Sequence, residues 1–526
     1  MANWEVLLQK ISEQDADHKD PDYVTPATGF PLPKMYRAQG HALTELLQLK
    51  SAVLSPHTGF GKTPLFLTVA HNRSSLIIEP RKFLQKQVAS YCNDTILFGR
   101  SEYPCYFADN ASNAPCTRKM RCDRTDFGKT CEHKTRDCQK NPCKVFFHDE
   151  KLMRYPCISC PYNNAVALAM GVIRHGGKVI CNFGNFWKFL PEADLVIIDE
   201  ADLFFKEISS PEPMRHTRDL DVPILTMLRT EMREIEKQMQ TCEIRKLYAL
   251  KNRMYRLSFL EGVSDLCFTY KKRNLKTKTE SIYVEVNPAN VNLLKDQIFG
   301  NKQTIVVSAT PGDFNLPSVG KYSIHQRCKI YYTPVGKLTS RELERQPWLL
   351  DHAADFIDQA SAIFGGLYGS KKFVVHCGNL GNHAAKINTM LNDIEKKDVC
   401  TLHASGKLME TIDTFMAVDK KFLLVASAEY GLDASWCNCQ FILKFPYASL
   451  DDRLKALEKK LGKEKFSTFY TLDAISRLVQ QCGRVGRGWD SFACTFILDS
   501  KFSEVYKRYK TAFPPWFTDR MCEETF

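Results

Sequence analysis

Nowhere in the 526 residues does an apolar run continue long enough to span a bilayer, and no amino-terminal stretch combines a basic start, an apolar segment and a small-residue cleavage site. The first absence excludes a helical membrane protein. The second leads us to expect an intracellular chain, cytoplasmic or nuclear depending on its source. In such a reducing compartment 20 cysteines do not make a disulfide framework, and their crowding into one region favours metal. The length excludes a single ordinary core, so two or more domains are expected, and a hydrophobic content of 44% suffices to fill them. A net charge of +12 suggests a polyanionic partner, although a solvated lysine face gives the same sum.

What is present begins with SAVLSPHTGFGKTPLFLTV, Ser51 to Val69. A short apolar strand enters a loop with two glycines, and an apolar helical pattern follows. Gly59 and Gly61, with Thr58 in the same loop, let backbone N–H groups face phosphates, and the helix N-terminus adds its dipole. Lys62 can reach the β- and γ-phosphates of ATP, and Thr63 can hold Mg2+. A nucleotide loop needs a carboxylate on a neighbouring strand, and ADLVIIDEADLF, Ala193 to Phe204, supplies one. Four apolar residues, Leu195 to Ile198, make a buried strand that ends at Asp199 and Glu200, where parallel α/β sheets bind ligands. Asp199 would hold Mg2+ through water, and Glu200 would orient the attacking water.

With these two motifs the chain resembles the superfamily-two helicases. TIVVSAT, Thr304 to Thr310, is similar to the Ser-Ala-Thr element that in those proteins couples hydrolysis to nucleic-acid contact. QQCGRVGR, Gln480 to Arg487, is similar to their last motif, which implies that Gln480 faces the nucleotide and that Arg484 and Arg487 are arginine fingers supplied within the chain. YRAQ, Tyr36 to Gln39, resembles the adenine-side motif and brings Arg37 and Gln39 into the nucleotide set. KKFVVHCGN, Lys371 to Asn379, and KFLLVASAEYGLDA, Lys421 to Ala434, are strand-to-loop units of a second lobe, the latter contributing Asp433, and CTFILDSKF closes that sheet. Strands alternating with helical stretches, twice over, imply an α/β fold of two RecA-like parallel-sheet lobes with ATP between them.

Cysteines 105, 116, 122, 131, 138, 143, 157 and 160 all fall between the phosphate loop and the Asp-Glu-Ala-Asp strand. The XPD/DinG branch carries its iron-sulfur domain there. GRSEYPC (Gly99 to Cys105), CPYNNA (Cys160 to Ala165), the approach VICNFGNFWKFLPEADLVIIDEAD, and LKFPYASLDD in the second lobe resemble that branch as well, so the likeness covers both lobes. It implies a 4Fe-4S cluster with Cys105 and Cys160 as ligands, and Cys157 and Cys116 as the next choices. That leaves Cys122, Cys131, Cys138 and Cys143 for an additional zinc site with His133 or His148; alternatively, some of these four complete the cluster and the rest are free. Isolated cysteines such as Cys328 and Cys400 read as small buried hydrophobes.

The resulting division is lobe 1 at 1–98, 166–204 and 303–330, an iron-sulfur insertion at 99–165, a mainly helical arch-like insertion at 205–302, and lobe 2 at 331–526. Within the second insertion Pro223 to Leu257 reads as one or two amphipathic helices and Thr279 to Val286 alternates like a strand. The resemblance implies a monomeric helicase acting on single-stranded DNA and duplex junctions with 5′-to-3′ polarity, the iron-sulfur domain as a wedge, and a partner-binding role open for the arch. Three departures stand out: Asp202 where the branch has histidine, Tyr430 between Glu429 and Gly431, and a loosely matched EPRKFLQKQ at Glu79 to Gln87. Asp202 also fits a Asp-Glu-Ala-Asp-type RNA helicase with a zinc insertion. A nucleic-acid scaffold with a vestigial ATPase is the alternative of another class.

Overall fold

The computed structural model describes residues 22–56, 60–80, 82–91, 95–99, 102–103, 161–217, 219–241, 244–273, 279–308, 314–319, 328–378, 383–402, 408–426, 432, 434, 436–486 and 492–522. A short antiparallel pair, Tyr23–Val24 (β1) with Met35–Tyr36 (β2), precedes the first lobe. That lobe is built on Ala52–Leu54 (β3), Ser75–Ile78 (β4), Thr95–Leu97 (β5), Lys178–Cys181 (β6), Leu195–Ile198 (β7), Gln303–Val307 (β11) and Ser318–Val319 (β12). They form one sheet in the order β12-β3-β11-β7-β4-β6-β5, with every pair parallel. A parallel sheet covered on both faces needs strands that are apolar throughout, which is why SLII, LVII and TIVV read as unbroken runs. Successive residues alternate between two cores: Leu76, Ile78, Val196, Ile198 and Val306 enter one, and Ile77, Leu195, Ile197, Ile305 and Val307 the other.

The second lobe repeats the plan. Cys328–Gly336 (β13), Phe373–Cys377 (β14), Cys400–Leu402 (β15), Phe422–Ala426 (β16), Cys439–Ile442 (β17), Ala493–Asp499 (β18) and Met521–Cys522 (β19) form a parallel sheet in the order β15-β16-β14-β17-β18-β13-β19. Cys328 and Cys400 are buried, as small hydrophobes are. The two-lobed α/β fold expected from the alternation of strands and helices is therefore the fold observed.

The eight clustered cysteines, and with them Cys105, Cys116, Cys157 and Cys160, lie outside the described residues, but both ends of that segment are placed. The Tyr103 ring packs edge-on against that of Tyr162 with centroids 5.5 Å apart, and its hydroxyl accepts from the Phe98 N–H at 3.2 Å. Tyr162 opens the helix Pro161–Arg174 and donates to Asn185 Oδ1 at 2.8 Å, while Asn185 Nδ2 donates to the Phe98 carbonyl at 3.0 Å. The chain on the two sides of this segment, at Phe98 and Tyr103 and at Tyr162 and Asn185, is thus held together by these contacts.

The insertion after β7 contains the expected amphipathic arm as two helices, Ile224–Thr241 and Ile244–Gly262. It also contains an antiparallel sheet that the helical reading understates: Glu212–Met214 (β8), Cys267–Arg273 (β9) and Glu280–Val286 (β10), in the order β8-β10-β9. Phe268 and Tyr270 of β9 turn toward the second lobe, packing with Leu454, Leu457 and Phe466. Among the described residues, no helix is long and apolar enough to cross a membrane.

Candidate functional site

The strand order β3-β11-β7-β4 places four carboxyl-terminal ends in a row, and each delivers a polar residue. At the end of β3 the chain enters the phosphate loop, in which Thr58 and Gly59 lie outside the described residues. Gly61 is described and has φ +79, a left-handed conformation that glycine adopts without penalty. A Cβ at this position would come within 2.4 Å of Gln39 Nε2, so any side chain would collide there. The helix Lys62–Val69 starts directly after it, with Lys62 and Thr63 in its first turn. Glycine at this position therefore lets the loop close against Gln39, and the N-terminus of the helix follows directly.

Gln39 sets the shape of this loop. Its Nε2 donates to the Phe60 carbonyl at 2.7 Å, and its Oε1 accepts from the Tyr36 N–H at 2.9 Å. Of the two residues assigned to the adenine side, Gln39 thus grips the loop backbone, while Arg37 sits exposed and pairs with Asp22, with Nη2 donating to Oδ1 at 3.3 Å.

At the end of β7 stand Asp199 and Glu200. Asp199 is buried, and its Oδ1 accepts from the Glu200 N–H at 2.9 Å. Burial, and next the negative charge of Glu200, push its carboxyl up to about 6 against the opposing pull of Lys62. Glu200 has φ +45, a left-handed conformation costly for a residue with a side chain, and such strain persists where the surroundings demand one orientation. From the end of β11, Ser308 Oγ donates to Asp202 Oδ1 at 2.8 Å. The aspartate that departs from the XPD/DinG pattern thereby bonds the Ser-Ala-Thr element directly; Ala309 and Thr310 lie outside the described residues. Ser308→Ala removes this link without touching the nucleotide residues. It should leave ATP hydrolysis near the native rate while lowering strand separation by about tenfold, a typical weight of site-to-site coupling; parallel assays of both activities check this.

The fourth strand end holds a residue that sequence reading missed. Ile78 and Ile198 are register partners in the β4–β7 pair, so Glu79 emerges beside Asp199. Glu79 is completely buried, and no donor other than the Asp199 carboxyl reaches its oxygens. Burial first, then the charge of Asp199, holds its carboxyl well above the ordinary range, and Lys62 pulls the other way. A signal was available: an acidic residue directly after three buried apolar ones, Leu76 to Ile78, is close to the pattern that identified Asp199.

In the second lobe the helix Lys463–Cys482 carries Gln480 near its end, and Arg484 follows one residue beyond the Gly483 cap. Both are buried. Arg484 Nη2 donates to Gln480 Oε1 at 3.0 Å and Nη1 to the Leu432 carbonyl at 3.5 Å, joining the last motif to the loop that follows β16. Arg487 and Asp433 lie outside the described residues. Gln440 on β17 holds the helix end from beneath, with Nε2 donating to the Gln481 carbonyl at 3.0 Å and to Thr495 Oγ1 at 2.8 Å. Its Oε1 lies 3.1 Å from His376 Nε2, and burial lowers that imidazole to about 4, keeping it neutral. Neither Gln440 nor His376 was a candidate from the sequence, because the crossover that brings them under the helix is a tertiary fact.

Residues 380–520 match the helicase C-terminal domain family. A search of curated protein sequences finds no match. Among solved structures, an XPD helicase superposes with a TM-score of 0.57 at 13% identity, covering 92% of this chain and 98% of that one. A further XPD structure, free of ligand by its description, gives 0.49 at 13% identity over 90% and 97% of the two chains. Xpd4 from S. tokodaii gives 0.46 at 12% identity over 90% and 96%. Residues 380–520 are therefore similar to the helicase C-terminal domain family, and the chain has, across both of its lobes, the fold seen in an XPD helicase.

Proposed function

We propose that the protein is an ATP-driven helicase that tracks single-stranded DNA in the 5′-to-3′ direction and carries an iron-sulfur wedge in the segment 99–165. The observation that carries the ATP-driven part is the row at the carboxyl edge of the first sheet. The glycine loop leads into Lys62 and Thr63, Asp199 and Glu200 stand beside it, and the Asp202–Ser308 bond leads away toward the strand-contacting element. The residues fit a nucleotide with its cation: the loop runs directly into the N-terminus of the helix Lys62–Val69, and Asp199 is a buried carboxylate within electrostatic reach of Lys62. Thr63 and Asp199 would hold Mg2+, which when bound neutralises charge on the phosphates. Lys62 would bind the β- and γ-phosphates, and Glu200, held in its strained conformation, would orient the attacking water and accept its proton. Arg484, fixed by Gln480 and Leu432, would face the developing phosphoryl charge from the second lobe, joined by Arg487. Closing and reopening of the lobes would then move the strand, with the chain working as a monomer.

The DNA preference, the polarity and the cluster rest on the sequence resemblance, including Cys105, Cys116, Cys157 and Cys160 as ligands and the four other cysteines as a further zinc site. A second reading, an RNA helicase with a zinc-binding insertion, is favoured by one observation, the Asp202–Ser308 bond at a position where the branch has histidine. One set of substrates separates the two. Duplex DNA with a 5′ single-stranded tail should be unwound, and the 3′-tailed duplex and the RNA duplex should not. Unwinding of RNA alone by a colourless, zinc-containing preparation would overturn the DNA reading, whereas an oxygen-free preparation with about four irons per chain supports the cluster.

A further inference from the structure

Glu79 is a carboxylate placed where the proposed mechanism has no use for it. It is fully buried, no donor other than the Asp199 carboxyl reaches its oxygens, and it lies at the end of β4 beside Asp199, with Glu200 and Lys62 within electrostatic reach. The carboxyls of Glu79 and Asp199 are in hydrogen-bonding contact, which requires a proton between them, since two ionised carboxylates only accept. Left in a dry site, such a pair is costly unless positive charge is supplied. Lys62 supplies one charge from the phosphate loop. A divalent cation at the same edge supplies the rest, and Mg2+ is commonly bound by one or two carboxylates together with phosphate oxygens and water. No third acidic, histidine or cysteine side chain is needed for this, which agrees with the absence, among the described residues, of any cluster of three such groups able to hold a metal ion.

We propose that Glu79 joins Asp199 in holding the divalent cation that accompanies the triphosphate, directly or through its water shell. The inference rests on the nucleotide reading above and adds a residue to it.

The test is Mn2+ binding to the full chain by electron paramagnetic resonance, with and without a non-hydrolysable ATP analogue, in the native protein, Glu79→Gln and Glu79→Asp. Glutamine keeps the volume at this buried position, and the melting midpoint verifies folding. Glu79→Gln should raise the Mn2+ dissociation constant by about tenfold or more, and Glu79→Asp, which keeps the charge, should recover most of the loss. Affinity for the analogue in the presence of chelator should be unchanged in both. Unchanged Mn2+ affinity in Glu79→Gln, or no recovery in Glu79→Asp, overturns the proposal and makes Glu79 a structural carboxyl that holds a proton against Asp199. If the native chain binds neither the analogue nor its Mn2+ complex, the nucleotide reading falls and this inference with it; native binding with indifferent variants removes the inference alone.

Discussion

Lys62→Ala is expected to lower nucleic-acid-stimulated ATP hydrolysis by about 10²–10³-fold, the usual cost of removing one preorganised group that meets transition-state charge, while leaving strand binding intact. The expectation follows from where the chain puts this side chain. Gly61 turns left-handed, the helix Lys62–Val69 begins at once, and Gln39 fixes the preceding carbonyl, so the ammonium is aimed from a rigid base. Folding should survive, because the loop is secured by Gln39 and by the buried Phe60 and Leu65 rather than by Lys62. The substitution also removes a cation that opposes proton uptake by both Asp199 and Glu79. Comparing hydrolysis and single-strand affinity of the variant with those of the native chain checks this, and hydrolysis at the native rate would sink the assignment of the phosphate loop.

Arg453→Ala should release the second insertion from the second lobe, with a loss of about 3–5 kcal/mol in that contact, the cost of leaving a buried charge without its partner. Arg453 begins the helix Asp452–Leu461 of lobe 2 and forks onto Glu285 of β10, with Nε 2.7 Å from Oε1 and 2.8 Å from Oε2. The Glu285 side chain is 2% exposed, so it has no water to fall back on. Around the pair, Phe268 and Tyr270 stack with centroids 5.8 Å apart, Tyr270 stacks on Tyr283 at 5.5 Å, and Leu454, Leu457 and Phe466 close the cluster from the other side. Hydrogen exchange should therefore quicken in β9, β10 and the helix Asp452–Leu461 together. Replacing both charges by apolar residues of similar size, Arg453→Met with Glu285→Leu, should restore most of the protection, because the desolvation cost disappears with the charges. Quickened exchange confined to the helix would mean that the insertion is held by its aromatic contacts alone.

The two cases also mark how far the sequence could be read. Lys62, Asp199 and Glu200 were legible because each follows a short apolar run within one segment, and a parallel sheet puts the ends of such runs on one edge by rule. Glu79 carries the same local pattern but gains meaning only from register: beside Asp199 it is a site residue, and one strand away it would be a turn. Gln440 and His376 sit inside apolar strands, where a polar residue reads as a solvent-facing position until the helix Lys463–Cys482 is laid across them. The lobe-to-insertion clasp was invisible for a different reason. The partners Glu285 and Arg453 are 168 residues apart, and β9 ends in the exposed basic run Lys271 to Arg273, which masks the two buried aromatic positions before it. Asp202 was read as a departure from the histidine of the branch; the structure gives it Ser308 as a direct partner, a pairing that no spacing within either motif specifies.

The central claim is that nucleotide turnover between these lobes is coupled to a bound nucleic-acid strand. ATP hydrolysis by the full chain, measured alone, with single-stranded DNA and with single-stranded RNA, tests it most directly. The account predicts slow turnover alone and marked stimulation by single-stranded DNA. Turnover that stays at background with both strands present would contradict it and leave a nucleic-acid-binding scaffold built on an idle ATPase fold.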